Sequence, residues 1–157
     1  MKKLTRTHLV ILAAGGSLAL LLGAFLFQAM GYPPCKMCFW QRWPHAAAIL
    51  IGAAYMGVQA RVLLWLGALS AAITSGIGAF HAGVEYKWWE GPTSCTGGSN
   101  ALSGLTGSDL LPGSATKAIV MCDEVSWQLF GLSMASYNFI FSALLVVAWV
   151  MAARKDA

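Results

Sequence analysis

Four cysteines carry the chemistry this chain can do: Cys35 and Cys38 in a Cys-x-x-Cys pair, then Cys95 and Cys122 in one later polar stretch. Two thiols separated by two residues can close a small disulfide ring, and the thiolate is the reactive form. A helix N-terminus or a nearby cation stabilises that thiolate. Cys38 has both prospects: a long apolar segment follows it, and Arg42 lies four positions on, about one helical turn away. This spacing favours thiol–disulfide exchange. A structural staple and half of a zinc site are the alternatives. A zinc site usually brings a second closely spaced pair, whereas Cys95 and Cys122 stand 27 positions apart.

A Cys95–Cys122 bridge would contribute about 3.6 kcal/mol through loop closure alone, so a plain staple is a serious alternative there. Against it, Cys95 lies among Gly, Ser, Thr and Asn in residues 91–100. Such surroundings leave a sulfur open to an incoming protein, and exchange needs that access. Gln41, Arg42, His45 and His81 are polar groups at the outer ends of apolar segments, where each is either an interfacial anchor or part of a pocket. Glu85, four residues after His81, can orient it. Trp88 and Trp89 read as an aromatic belt. There is no dinucleotide fingerprint, no haem-type motif and no iron–sulfur spacing, and no resident metal is expected. A small acceptor dissolved in the membrane fits the position of Cys38, and a quinone is the most economical choice.

The elements that must position these residues are read from hydropathy. Of the 157 residues, 58% are hydrophobic and 10% charged, with a mean hydropathy of +0.66. A soluble domain carries about 25% charge, so lipid is the solvent for most of this chain. Four segments, about residues 9–30, 43–60, 62–82 and 137–153, have the length to span a bilayer. The expectation is an all-α membrane protein: a four-transmembrane-helix bundle forming a single membrane domain over residues 1–157. A short loop (about 31–42) and a long loop (about 83–136) join the spans on one side. Arg61 alone separates the second span from the third. The second helix is expected to begin near Met37 to Trp43. Pro44 limits how far upstream a regular helix extends, so either the helix starts at about Pro44 or residues 35–42 form a separate turn against it. In the long loop, residues 115–121 suit one or two helical turns that, with Leu110 and Leu111, can lie on the membrane surface.

Charge orients the bundle. One side holds Lys2, Lys3, Arg6, Arg61, Arg154 and Lys155 against Asp156 alone. The other holds Lys36, Arg42, Lys87 and Lys117 against Glu85, Glu90, Asp109, Asp123 and Glu124. The basic excess marks the cytoplasmic face, so both termini lie there and all four cysteines face the oxidising side. The N-terminal segment reads as a retained anchor: its apolar run is long and no Ala-x-Ala site closes it. The net charge of +4 is split between termini and helix ends, a pattern that does not suggest nucleic acid.

The run Cys35, Lys36, Met37, Cys38, Phe39, Trp40, Gln41, Arg42 after a first apolar span resembles the bacterial disulfide bond formation protein B family, the quinone-dependent thiol oxidases of the inner membrane. His81 to Glu85, Cys122 to Trp127 and Phe130 to Met134 extend the resemblance over nearly the whole chain. It implies a four-helix bundle with two periplasmic loops. It also implies a relay from a periplasmic thioredoxin-like dithiol oxidase to the long-loop pair, then to the Cys-x-x-Cys pair, and on to ubiquinone or menaquinone. By resemblance, Cys95 is the cysteine attacked by the partner and Cys122 its mate. Cys35 exchanges with the long-loop pair, Cys38 contacts the quinone, Arg42 is the quinone-site arginine and His81 the quinone-proximal histidine. One rival is a quinone reductase of the vitamin K epoxide reductase type, whose Cys-x-x-Cys lies near the last helices rather than before the second. Another is a non-enzymatic membrane protein using the cysteines as metal ligands or staples.

Overall fold

The computed structural model describes residues 5–92, 95 and 120–155. They form four long helices, α1 (Arg6–Ala29), α2 (Lys36–Val58), α3 (Arg61–Glu85) and α4 (Met134–Arg154), with a two-stranded ribbon, β1 (Gln128–Leu129) and β2 (Leu132–Ser133), before α4. Three of the helices, α1, α3 and α4, are long and apolar enough to cross a membrane. The second falls short of the four spans expected, because Lys36, Gln41, Arg42 and Pro44 interrupt its apolar character. Leu12, Leu22, Leu26, Leu50, Val62, Leu69 and Leu144 are all exposed on the outside of the bundle, as lipid-facing residues are.

The helix ends follow from local chemistry. Gly31, with φ at +98°, and the prolines at 33 and 34 stop α1. Gln59 turns left-handed at φ 54° to close α2, and Ala60 caps α3, so two residues separate those helices. The β1–β2 turn is Phe130-Gly131, both at positive φ, the geometry that matches the twist of a tight hairpin. Ser133 then caps α4 by accepting from the Ser136 N–H at 3.2 Å.

The helix α2 starts at Lys36, one residue ahead of the expected range from Met37 to Trp43, and runs through Pro44, which neither begins the helix nor sets off residues 35–42 as a separate turn. The Cys35 cap starts the helix early, its Sγ accepting from the Cys38 N–H at 3.2 Å. Pro44 supplies no N–H to the preceding turn. Near it, Thr74 of α3 donates to the Gln41 carbonyl at 3.0 Å, tying this part of α2 to α3. Of the expected surface-lying patch, Leu110, Leu111 and residues 115–119 lie outside the described residues, as do Lys2, Lys3, Asp109, Lys117 and Asp156; Val120 and Met121 are not helical.

The core at one end of the bundle is built on Trp149, fully buried among Leu9, Val10, Tyr55, Leu64 and Ala68. It fits because Gly67 of α3 leaves the space: a Cβ there would lie 2.7 Å from the indole ring. At this end Arg6 donates to the Lys155 carbonyl, joining the start of α1 to the end of α4. Higher up, Ser75 donates to the Phe139 carbonyl at 3.1 Å, and a Cβ on Gly78 would sit 3.0 Å from the Phe139 nitrogen. Small residues thus bring α3 and α4 into close contact. That contact delivers Asn138 to the opposite end of the bundle, where the cysteines are.

Candidate functional site

Both cysteine pairs meet in one buried cluster. Cys35, Cys95, Cys122 and Met37 pack together, with Cys38 and Val120 at its edge. Cys95 and Cys122 form a disulfide with Cα atoms 5.2 Å apart, while Cys35 and Cys38 are free thiols with their sulfurs 2.9 Å apart. One pair is therefore oxidised and the other reduced. The loop backbone holds this arrangement: the Cys122 N–H donates to the Cys95 carbonyl at 2.7 Å, and the Cys95 N–H to the Pro92 carbonyl at 2.8 Å. Lys87 pairs with Asp123 at 2.6 Å, anchoring the loop next to Cys122 and holding the Asp123 carboxyl below its usual range. The accessible Cys95 expected from its small neighbours is corrected here. It is 5% exposed and belongs to one buried cluster with Cys35, Met37 and Cys122.

The two free thiols are not equivalent. The Cys35 hydrogen bond to Cys38, then burial, push the Cys35 thiol well above the usual range. The same hydrogen bond stabilises the Cys38 thiolate and draws that thiol down, although burial opposes it. Both sulfurs lie upstream of the apolar part of α2 that begins at Trp43. The sign sets a prediction. As pH rises from acid, the thiolate appears on Cys38 first, while Cys35 stays protonated. Limiting iodoacetamide at neutral pH, followed by peptide mass spectrometry, should find the label on Cys38 in large excess; predominant labelling of Cys35 would reverse the assignment.

Beneath the thiols lies a buried hydrogen-bonded network. His81 places Nε2 3.5 Å from Cys35 Sγ and 3.8 Å from Glu85 Oε1, and Nδ1 2.9 Å from Gln41 Nε2. The other Glu85 oxygen accepts from Ser133. Gln41 Oε1 accepts from Asn138 Nδ2 at 2.7 Å, and Asn138 Oδ1 lies 2.9 Å from His45 Nε2. Gln41, His45 and His81 are all buried. Arg42 leaves this network and turns to α1, donating to Gln28 Oε1 at 2.8 Å and the Ala24 carbonyl at 3.4 Å, with the Phe25 and Phe39 rings each 4.9 Å from its guanidinium carbon. Trp89 folds back onto Phe80 and donates to its carbonyl at 2.9 Å, while Trp88 is exposed.

Cys38, Gln41, Arg42, His45, His81 and Asn138 line one side of a cavity whose other wall is apolar, from Leu21, Ala24, Phe27 and the prolines at 33 and 34. A second, almost wholly apolar cavity shares Ala24, Phe27, Met134 and Asn138 with it and continues between α1 and α4. Among the described residues, the buried Arg42 Nε and His45 Nδ1 have no hydrogen-bond partner. A polar compartment with a spare donor and a bare ring nitrogen, opening into an apolar groove, fits an amphipathic ring compound with a hydrocarbon tail. A metal fits less well. The ligand atoms of Cys35, Cys38 and His81 lie within 4.8 Å of one another, but the sulfurs at 2.9 Å are closer than the roughly 3.8 Å that two Zn–S bonds of about 2.3 Å impose in a tetrahedron.

The structure thus gathers Cys35, Cys38, Cys95, Cys122 and His81 around one centre and puts Arg42 on the cavity wall beside Cys38. Asn138 and Thr74 were missed in the sequence reading. Their signal was a lone amide and a lone threonine inside apolar helices, where polar groups are expensive and find partners.

Comparison with known proteins agrees with this geometry. The model of the family described as disulfide bond formation protein DsbB matches residues 6–152. A disulfide bond formation protein B of Verminephrobacter eiseniae is 33% identical over 78% of this chain and 71% of its own length. Proteins of the same description from Polaromonas sp. and Acidovorax sp. are each 27% identical, the first covering 84% of this chain and 81% of the relative, the second 95% and 90%. No solved structure matches the chain. The family match runs from the first turn of α1 almost to the end of α4 and takes in both cysteine pairs, and the chain belongs to the DsbB family of membrane-helical, disulfide-forming oxidoreductases.

Proposed function

We propose that this protein reoxidises a periplasmic thioredoxin-like dithiol oxidase and passes the two electrons to a membrane quinone, ubiquinone or menaquinone. The observation that carries the reading is the oxidised Cys95–Cys122 pair packed directly against the reduced Cys35–Cys38 pair beside a polar-ended cavity. In this reading all four helices cross the bacterial inner membrane, with the termini cytoplasmic and the cysteines periplasmic. The Arg6–Lys155 contact supports it by placing both ends of the described chain at one end of the bundle, where Arg61 and Arg154 also lie.

The thiol steps balance as follows. A partner thiolate attacks Cys95, Cys122 leaves as a thiolate, and the second partner thiol releases the oxidised partner, leaving the loop pair reduced. The Cys95 thiolate then attacks Cys35 of an oxidised Cys35–Cys38 pair, and Cys38 leaves. Cys122 attacks Cys95, re-forming the loop disulfide and releasing Cys35, which takes up a proton. A sulfur with a lowered pKa leaves faster, and Cys38 has that property. The product of this sequence is the redox state seen in the structure.

A bound quinone would supply a two-electron, two-proton acceptor for the reduced pair. Cys38 and Arg42 face the cavity that suits it, and His81 lines the same cavity beside Cys35. Purified protein stripped of quinone should oxidise no more than one equivalent of reduced partner for each cysteine pair that starts oxidised, and catalytic turnover should return when quinone is added. Multiple turnover without quinone would overturn the acceptor assignment.

A further inference from the structure

The hydrogens in the buried network can be placed one after another, because its amide nitrogens meet groups that only accept. Gln41 Nε2 lies 3.3 Å from the Met37 carbonyl, so that atom is the amide nitrogen and Oε1 faces Asn138. Asn138 Nδ2 reaches Gln41 Oε1 at 2.7 Å and the Thr74 carbonyl at 3.4 Å, so its oxygen is the atom turned to His45. His45 Nε2, 2.9 Å from that oxygen, therefore carries a hydrogen. On the other branch, His81 Nδ1 accepts from Gln41 at 2.9 Å, which puts the His81 hydrogen on Nε2, toward Cys35 and Glu85.

A neutral imidazole has one hydrogen, so His45 presents a bare Nδ1. That atom is buried and has no partner among the described residues. The side chain is 3% exposed and lines the cavity with Cys38 and Arg42. A buried acceptor without a donor is destabilising, and here the group able to satisfy it is a ligand. His81 is differently placed, since both of its nitrogens already face protein groups.

We propose that His45 Nδ1 accepts a hydrogen bond from a ring hydroxyl of the reduced quinone, so that the cavity holds the hydroquinone more tightly than the quinone. The inference rests on the quinone reading above. A hydroquinone oxygen brings the hydrogen that Nδ1 lacks, whereas a quinone carbonyl brings only lone pairs, which the nitrogen repels. Arg42 Nε, an N–H donor without a partner among the described residues, suits an oxygen of either form. His81 in this arrangement serves the thiols, donating toward Cys35, and His45 serves the ring.

The test uses the full chain in detergent with Cys35→Ser and Cys38→Ser, which stops electron transfer while the loop disulfide stays. A decyl-chain benzoquinone and its hydroquinone are titrated anaerobically. The expected result is about tenfold tighter binding of the hydroquinone, the scale of one buried hydrogen bond, and loss of that preference with His45→Leu. Tenfold corresponds to about a 30 mV rise in the two-electron potential of the bound couple. A second measurement needs no His45 substitution: in protein labelled with 15N-histidine, the His45 Nδ1 resonance should be that of an unprotonated nitrogen and should move when hydroquinone, but not quinone, is added. Equal binding of the two forms, a preference that survives His45→Leu, or a protonated Nδ1 in the free protein overturns the role of His45 and leaves the quinone reading standing. Failure of both forms to bind overturns the proposal together with that reading.

Discussion

Mixed with the oxidised periplasmic partner, Cys122→Ala should accumulate a mixed disulfide at Cys95, whose free thiolate attacks the partner disulfide and displaces its second sulfur as a thiolate. Catalytic turnover should fall by roughly a thousandfold or more, the scale of losing a covalent group. In the proposed relay Cys122 is the sulfur that resolves Cys95, and without it the adduct has no internal mate. Cys95→Ala should form no adduct at all. The structure adds a refinement, because Cys95 packs in the same cluster as Cys35. Cys35 is then the competing thiol able to release the trapped partner, so Cys122→Ala combined with Cys35→Ala should raise the adduct yield. Non-reducing electrophoresis with peptide mapping reads these outcomes directly. A partner adduct on Cys35 or Cys38 in the Cys122→Ala protein would reverse the assigned order of the two pairs.

Arg42→Ala should raise the apparent KM for quinone about ten- to a hundredfold, because a buried charge-assisted hydrogen bond contributes roughly 1.5–3 kcal/mol. Single-turnover exchange between the partner and the loop disulfide should stay near its original rate. Arg42 is held by Gln28, the Ala24 carbonyl and two phenyl rings, which fixes its guanidinium plane against the cavity wall. Lysine keeps the charge but lacks the planar fork that makes those contacts, so Arg42→Lys should fall between the two. Steady-state quinone titration beside stopped-flow thiol exchange separates the half-reactions. Equal damage to both would mean that Arg42 mainly anchors α2 against α1.

The placement of His81 also bears on the thiol chemistry. Its Nε2–H faces Cys35, which in the proposed relay is the sulfur released last when the loop disulfide re-forms, and a donor there would stabilise the departing thiolate. Gln41 and Asn138 matter to this step without touching a cysteine, because they hold the imidazole in one tautomer. Glu85, which accepts from the Ser133 hydroxyl on one oxygen, keeps its other oxygen near the same nitrogen.

Much of this protein was legible in one dimension. Hydropathy pointed to a membrane-helical protein, since lipid demands about twenty apolar residues for each crossing, and three of the four helices have that length and character. The Cys35–Cys38 spacing pointed to exchange because two residues between thiols leave them within reach of one bond. Boundaries were less legible where two rules competed: Pro44 argued for a late start of α2, and the Cys35 cap won. Tertiary structure alone decided which groups meet. Cys95 looked accessible from its small neighbours, but it is buried in one cluster with Cys35 and Met37, residues about sixty positions away in the chain. Asn138 was one polar letter in an apolar run until close α3–α4 packing carried it to Gln41 and His45. Hydrogen bonds between helices have no period along a chain: they depend on which faces turn toward each other, and only the packed bundle fixes that.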